Sequence, residues 1–356
     1  MVCSIKGLER GALELGTMAH SPRSRNFYTE VMLEIRPLTP RDYPALLRVR
    51  DACWPTQKLT LEELSAWVVT RRPDLVHLEY LALENGTPVG VASASQNEWK
   101  LETGAYWLNL MVHPDARGKG VGAALYDHLL RELEPYAAKI LEGNTREDQT
   151  RALRFLDARG WVEHSRSWES WLELAHFDPR PYAGAGERVL EQGYRITTFD
   201  VLEREDPDAR RKLYELDCEA QSDIPGEDDP FTYPTLERYW ERTSAKPNYR
   251  PELWFVALDS SGELAGMSQL YLREADTDLD TGFTGTAKAH RRKGVALALK
   301  LSAIKHALER GAPRIRTNNS QANRPMLGIN EALGFQKQPA WIEFRLERNP
   351  LFYGPS

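Results

Sequence analysis

Two six-residue stretches carry the clearest chemistry in this chain: RGKGVG at residues 117–122 and RRKGVA at residues 291–296. Each sets basic side chains and glycine directly before an apolar helical pattern. That pattern is Val121, Leu125, Leu129 and Leu133 in the first case, and Val295, Leu299, Ala303 and Ala307 in the second. A glycine-rich turn that opens a helix presents free backbone N–H groups and the positive end of the helix dipole, a natural seat for a diphosphate. Gly118, Gly120 and Gly122 permit close backbone approach, and Arg117 and Lys119 add positive charge beside Val121. Arg291, Arg292, Lys293, Gly294 and Val295 repeat the arrangement, with Ala296 in place of the last glycine. Neither stretch has the spacing GxxxxGK(S/T), and arginine stands where GxGxxG needs its first glycine, so nucleotide hydrolysis and hydride transfer lose ground.

The elements around the two stretches also match. Sliding residues 110–161 forward by 174 pairs Arg117 with Arg291, Gly120 with Gly294, Asn144 with Asn318, Leu153 with Leu327 and Gly160-Trp161 with Gly334-Phe335. Upstream, LALENGTPVGVASAS at 81–95 and VALDSSGELAGMSQL at 256–270 both read as strands around a turn. Each half is read as a first strand (33–37; 194–197) and two helices (about 40–53 and 60–71; 206–220 and 234–243). A strand then leads into the loop (105–112; 280–287), followed by the loop's helix, a strand (139–143; 313–317), a helix (149–159; 322–333) and closing strands. The expected fold class is therefore α/β, two tandem domains each with a mixed central sheet flanked by helices. The boundaries read as a poorly ordered tail over 1–31, a first domain over 32–178, a Pro- and Gly-rich linker over 179–193 and a second domain over 194–356. Met18 and Met32 are both candidate native starts.

Composition sets outer limits. The 356 residues suit two domains, with 41% hydrophobic and 28% charged residues, and no 18-residue apolar run is present to span a bilayer. A net charge of −6 gives no general reason to bind nucleic acid and suits an amine or cationic substrate better than an anionic polymer. Cys3, Cys53 and Cys218 form no CxxC pair, which points to a reducing cytoplasm, and the eight histidines show no metal-binding spacing.

The series strand, VHPDARGKGVGAAL, strand ending in asparagine, helix and Gly-Trp resembles the GCN5-related N-acetyltransferase (GNAT) family. The second half, with AHRRKGVALALK and NRPMLGINEALGF, resembles it too, so the whole is similar to that family's tandem, mycothiol-synthase-like form. The resemblance implies that acetyl-CoA is the co-substrate and that both loops bind its diphosphate. It also implies that Leu110, Met111 and Val112, and Thr284, Gly285 and Thr286, pair with its pantetheine arm. Among the asparagines, Asn144 and Asn318 match each other, and Asn323 matches the family's helix-start asparagine where the first half has Gln149. The family's tyrosine acid is replaced by Leu156 and Asn330. Its strand carboxylate is replaced by Leu108 and Asn109 in the first half, and by Gly282 and Phe283 in the second.

Acetyl transfer to an amine needs the amine neutral, although an alkylammonium has a pKa of about 10.4. Candidate bases are Asp278 and Asp280 before the loop strand, and Asp223 in SDIPGEDDP, whose GEDDP run would attract a cation. In the first half Asp51 and Asn109 are placed to face an acceptor, Trp54 and Trp107 to line a pocket, and His113 to lie at the surface. The expected activity is acetyl transfer to a small-molecule amine by direct attack, in a monomer or homodimer without nucleic-acid or membrane partners. The rival expectations are one catalytic half beside a degenerate or acyl-CoA-sensing half, and a silent acyl-CoA-binding protein.

Overall fold

The structure is a computed structural model that describes residues 2–3, 32–225, 231–273, 275 and 277–348. Apart from Val2 and Cys3, the expected tail lies outside the described residues, and so does the GEDDP run.

In chain order the first half contributes β1 (Val2–Cys3), β2 (Leu33–Pro37), α1 (Tyr43–Cys53), α2 (Leu61–Val69), β3 (His77–Glu84), β4 (Thr87–Gln96) and β5 (Ala105–Val112). It continues with α3 (Val121–Leu133), β6 (Ile140–Arg146), α4 (Thr150–Asp157) and β7 (Val162–Glu173). A connection carries α5 (Ala185–Glu191). The second half adds β8 (Arg195–Thr198), α6 (Phe199–Glu205), α7 (Ala209–Ser222), α8 (Leu236–Ser244), β9 (Trp254–Leu258), β10 (Leu264–Leu272) and β11 (Leu279–Thr286). It ends with α9 (Val295–Glu309), β12 (Arg314–Ser320), α10 (Arg324–Ala332), β13 (Gln336–Lys337) and β14 (Trp341–Glu347). The bounds of β5 and β11, and of β6 and β12, differ by 174 residues at both ends. Local chemistry explains several of these elements. Asn85 and Gly86, at φ 50° and 78°, turn β3 into β4 in the manner of a tight hairpin. Thr60 caps α2 reciprocally with Glu63.

Two departures from the sequence reading concern the second half. Within the stretch read as a linker, α5 forms and seats Val189 at 1% exposure in the apolar cluster that also holds Leu299; the glycines and prolines confine irregular backbone to its start. Helix α6, not anticipated, forms because Phe199 and Leu202 bury fully on its inner side.

Packing divides the chain into two compact units that do not follow the repeat. Of the described residues, the smaller holds 2–3, 32–58, 77–94 and 109–136, and the larger the others. The smaller unit has strand order β1-β2-β3-β4-β5 and a core of Val49, Leu81, Leu83 and Val91. Its helix α3 lies so close over β4 that a Cβ on Gly90 would stand 2.8 Å from Leu125. The four apolar positions expected to face inward on α3, and the four on α9, are all buried.

In the larger unit the sheet runs β6-β14-β7-β12-β11-β10-β9-β8, with the start of β5 pairing in parallel with β6. One layer packs α5 and α9 on this sheet, and another packs α6, α7 and α8 around Phe199, Trp240, Trp254 and Met267. The closing strands are exchanged: β7 of the first half pairs antiparallel with β12, and β14 of the second half pairs with β6. Charge gives a physical reason for the exchange. Glu142 on β6 is fully buried opposite Arg345 on β14, 2.8 Å away, and Asn97 and Lys100 complete its surroundings. On β12 the equivalent residue is Arg316, bonded to Asp278, 3.9 Å from Glu169 of β7 and opposite Trp171. If each half closed on itself in the same register, Arg345 would face Arg316 and Glu142 would face Trp171. Arg345 would then lose the carboxylate it now donates to and meet a like charge, so the exchanged pairing is favoured.

Candidate functional site

The second loop follows from a change in how β11 is paired. Leu279, Asp280 and Thr281 stand opposite Leu272, Tyr271 and Leu270 of β10, but Thr284 stands opposite Ser268. Two residues of β11, Gly282 and Phe283, thus stand against one of β10, Gln269, which is a β-bulge, a device that re-aims a strand beside a functional site. There is room for it only because residue 282 lacks a side chain: a Cβ there would lie 2.2 Å from the Tyr271 ring. On the other edge the parallel register with β12 covers only Leu279 and Asp280. Beyond it, Thr284, Gly285 and Thr286 continue β11 to the loop. The Thr286 hydroxyl is enclosed without a hydrogen-bond partner among the described residues.

From Thr286 the chain makes a short 3-10 turn and enters the loop. Arg291 does not aim its whole guanidinium outward; its Nε donates to the Thr286 carbonyl at 3.2 Å, tying the loop to the strand. Arg292 adopts φ 62° and Gly294 φ 86°, the latter capping the 15-residue helix α9, whose Val295 is buried. Arg292, Lys293 and Gly294 are exposed around the helix N-terminus, and Ala296 is half-buried in its first turn. A helix of this length leaves its first N–H groups without intrahelical acceptors. The arrangement fits a diphosphate through backbone donors and the exposed Arg292 and Lys293.

The first loop repeats this construction inside the smaller unit. Arg117 Nε donates to the Val112 carbonyl at 3.0 Å, and Gly118 and Gly120 take φ 84° and 85° before α3. Lys119 reaches Glu84 at 3.4 Å. The Cys53 thiol donates to the same Val112 carbonyl at 3.3 Å, and burial pushes its pKa up. Leu110, Met111 and Val112 are half-buried along β5, as is Gly122 in the first turn of α3, while Val121 is buried. Residue 118, a glycine in the first loop, is the arginine at 292 in the second, where the same left-handed backbone is strained.

The three candidate bases have different surroundings. Asp223 holds Lys288 at 2.8 Å and Arg291 at 2.9 Å, and these cations keep its carboxyl below its ordinary value. It braces the loop and is a poor proton acceptor. Asp278 is buried and bonded by Arg316 through Nε at 2.7 Å, with Arg314 at 3.5 Å, which makes it part of the ionic core. Asp280 stands where β11 leaves β12, with 40% of its side chain accessible and Arg273 at 2.9 Å. Burial pushes its carboxyl up, Arg273 and Arg316 pull it back, and Glu169 of the exchanged strand raises it further. A half-exposed carboxylate shifted upward at a strand opening suits proton acceptance.

The remaining candidates take quieter places. Asn109 is exposed on β5, and Asn144 and Asn318 are exposed opposite Glu343 and Glu169. Asn323 caps α10 by accepting from the Met326 amide at 3.3 Å, and Gln149 stands at the start of α4. Asn330, in the place of the family's tyrosine, is buried and donates to Asn319 at 2.6 Å. Asp51 is 3.8 Å from Arg50, His113 accepts from the Asp115 amide, and Trp54 and Trp107 are half-buried. Sequence reasoning missed Arg273, Arg316 and Glu169 around Asp280. Arg316 was within reach through the repeat, since it stands opposite in charge to Glu142. Glu169 was not, because only the strand exchange brings it there. Among the described residues no cluster of His, Cys, Asp and Glu could hold a metal ion, and no helix is long and apolar enough to cross a membrane.

Comparison with known proteins bears on both halves. The profile of the family described as Acetyltransferase (GNAT) family matches residues 34–161 and again 211–335. A mycothiol acetyltransferase of Thermobifida fusca is 25% identical over 274 residues, covering 73% of this chain and 79% of its own length. One from a Nocardioides species is 23% identical over 241 residues, 64% of this chain and 76% of that protein. In fold, a tandem GNAT protein from the clavulanic acid biosynthesis pathway superposes with TM-score 0.71 at 19% identity, over 89% of this chain and 99% of its own. A GCN5-related N-acetyltransferase from Sphaerobacter thermophilus gives TM-score 0.65 at 21% identity, over 89% and 96%. With two profile matches covering most of its length and a diphosphate-type loop at the head of a helix in each half, the chain belongs to the GNAT acetyltransferase family as a tandem member.

Proposed function

We propose that this chain transfers acetyl from acetyl-CoA to the primary amine of a small molecule by direct attack, and that the second half performs the reaction. The observation that carries this reading is Asp280. It is a half-exposed carboxylate, pushed upward in pKa, at the point where β11 parts from β12. The equivalent position in the first half is Tyr106, buried and without a carboxylate. Acetyl-CoA supplies an activated thioester. The chain's own work is to seat the diphosphate on the backbone of residues 291–296 and α9, and to align the pantetheine arm along Thr284, Gly285 and Thr286. Asp280 then accepts the proton that the ammonium must lose before it attacks, and Arg273 holds Asp280 in place. The relatives named mycothiol acetyltransferase support the acetyl-transfer part of this reading.

A second reading concerns the first half. Its loop has the fuller glycine set, with Gly118 and Gly120 both in the left-handed conformation they need, yet it lacks the acid–base group. This favours an acetyl-CoA-binding first half that does not transfer. Calorimetric titration with acetyl-CoA, followed by thiol release with an amine panel, tests both readings. Two binding sites are expected in the wild type, one each in Gly120→Glu and Gly294→Glu, and turnover is expected to disappear only in Gly294→Glu. Unchanged stoichiometry in both variants would sink the loop assignment, and turnover surviving Gly294→Glu would move the reaction to the first half.

A further inference from the structure

In the larger unit, residues 232–235 lie against Trp99, the Thr232 amide donating to its carbonyl at 2.7 Å, and help line a recess of about 300 Å³. Arg72, Arg238 and Arg242 line it against a single glutamate, Glu98, so three positive charges face one negative charge in a chain whose net charge is −6. The floor is flat. Trp99 stacks on Phe231 with ring centroids 5.2 Å apart, and the Arg242 guanidinium lies 4.9 Å over the Trp99 ring.

The three guanidinium groups are unequally satisfied. Arg242 is paired with Glu98 inside the recess, and burial pulls its pKa down, with Arg238 pushing the same way. Arg238 donates to the Thr70 carbonyl and to Glu241 at 2.8 Å, but its Nε is enclosed with no acceptor among the described residues. Arg72 holds Asp74 at 2.5 Å. Asp74 and Glu241 are both outside the lining and more than half exposed, so these pairs are of the surface kind that contributes little and is easily exchanged. An incoming oxyanion would give up little by replacing them, and gains the planar fork that arginine offers a carboxylate.

We propose that this recess binds a small carboxylate carrying a flat apolar body, the carboxylate against Arg72 and Arg238 and the flat body against the lining of Trp99, Tyr233 and Pro234. Recesses of this size, mostly apolar with a few convergent polar groups, are typical ligand sites. The site does not depend on acetyl transfer, and its test needs no acetyl-CoA.

Benzoate is the probe, followed by ligand-observed NMR on the full chain, with benzylamine and inorganic phosphate as comparators. Saturation transfer to the benzoate ring is expected in the wild type. Affinity is expected to fall about tenfold in Arg238→Gln and in the surface variant Arg72→Gln, the loss expected for one charge-assisted hydrogen bond, and less in Arg238→Lys, which keeps the charge without the fork. Absence of benzoate binding would overturn the proposal, and so would binding that both glutamine variants leave unchanged. Equal or tighter binding of benzylamine would reverse the assigned charge. Phosphate binding as well as benzoate, with the same dependence on Arg72 and Arg238, would remove the flat body from the assignment. Arg72→Gln removes the pair with the exposed Asp74, and an unchanged thermal melt of that variant separates loss of binding from loss of fold.

Discussion

The two halves of this chain keep the same frame and differ at a few equivalent positions. Residues 106 and 280 are tyrosine and aspartate, 118 and 292 glycine and arginine, 126 and 300 tyrosine and lysine, 142 and 316 glutamate and arginine. Each half sets a strand, a loop and a helix in the same order, so that basic residues and glycine stand at a helix N-terminus in both. The two loops therefore differ in kind: the first has two glycines in the left-handed conformation, and the second follows a strand that carries Asp280.

The largest expected effect tests that division. Asp280→Asn is expected to lower kcat/KM by about a hundredfold or more, the usual range for a general base, with acetyl-CoA binding unchanged by calorimetry. Tyr106→Phe is expected to leave the rate alone. Because the Asp280 carboxyl is pushed up, it accepts protons only above that raised value. The acid limb of kcat/KM should therefore lie higher than an ordinary carboxylate near 3.9, and vanish in Asp280→Asn. A wild-type limb at ordinary carboxylate pH would remove Asp280 from the role.

Next is the pairing that separates Glu142 from Arg316. Glu142→Gln leaves Arg345 without its directly opposed carboxylate and is expected to cost about 3–5 kcal/mol in urea unfolding. Combining it with Arg345→Met should recover much of the loss, as a double-mutant cycle would show. Additive losses would mean that the two side chains do not act as a pair.

Lys300 sharpens the comparison through pH. It is buried in α9 where α3 has Tyr126, with its ammonium 5.4 Å from the Phe335 ring, and burial pulls its pKa down to about 8. The unfolded chain holds this proton more tightly. The penalty is therefore full below about 8, and stability rises with pH between about 8 and 10.4. Lys300→Met is expected to stabilise the protein at pH 7 by up to about 3 kcal/mol and to flatten that rise. Thermal melts across pH 7 to 10 check both; a steeper rise in the variant would contradict the sign.

The smallest effect belongs to Arg292. Replacing it by glycine relieves left-handed strain of about 1–2 kcal/mol but frees the unfolded chain by about 0.4–1 kcal/mol. A net gain below about 1 kcal/mol is expected, together with weaker acetyl-CoA binding at low ionic strength, where the lost exposed charge is least screened. Destabilisation instead would mean that Arg292 makes contacts that matter more than its backbone strain.

Much of the frame was legible in the residues because it rests on local rules. The helical spacing of Val121, Leu125, Leu129 and Leu133 needs only a buried face, and Asn85-Gly86 only a tight turn. The matching bounds of β5 and β11 follow from the 174-residue repeat. Helix α6 was not legible because seven residues give too short a period, and its burial is decided by Phe199 against Trp240 and Trp254. Nor could Asp223, Asp278 and Asp280 be ranked from their neighbours in sequence. Two are held by cations from β12 or the loop, and one stands beside an opening between strands.

By itself, the sequence determined that this is a duplicated α/β chain with a basic, glycine-containing loop at a helix start in each half, since glycine placement and apolar period are properties of neighbouring residues. Only the tertiary structure decided that β7 and β14 change places, and with them which charges meet. Pairing between distant strands depends on which side chains end up opposite one another in a buried sheet, where an unmatched charge is costly. That pairing also sets Glu169 near Asp280, and so the surroundings of the carboxylate on which the proposed reaction depends.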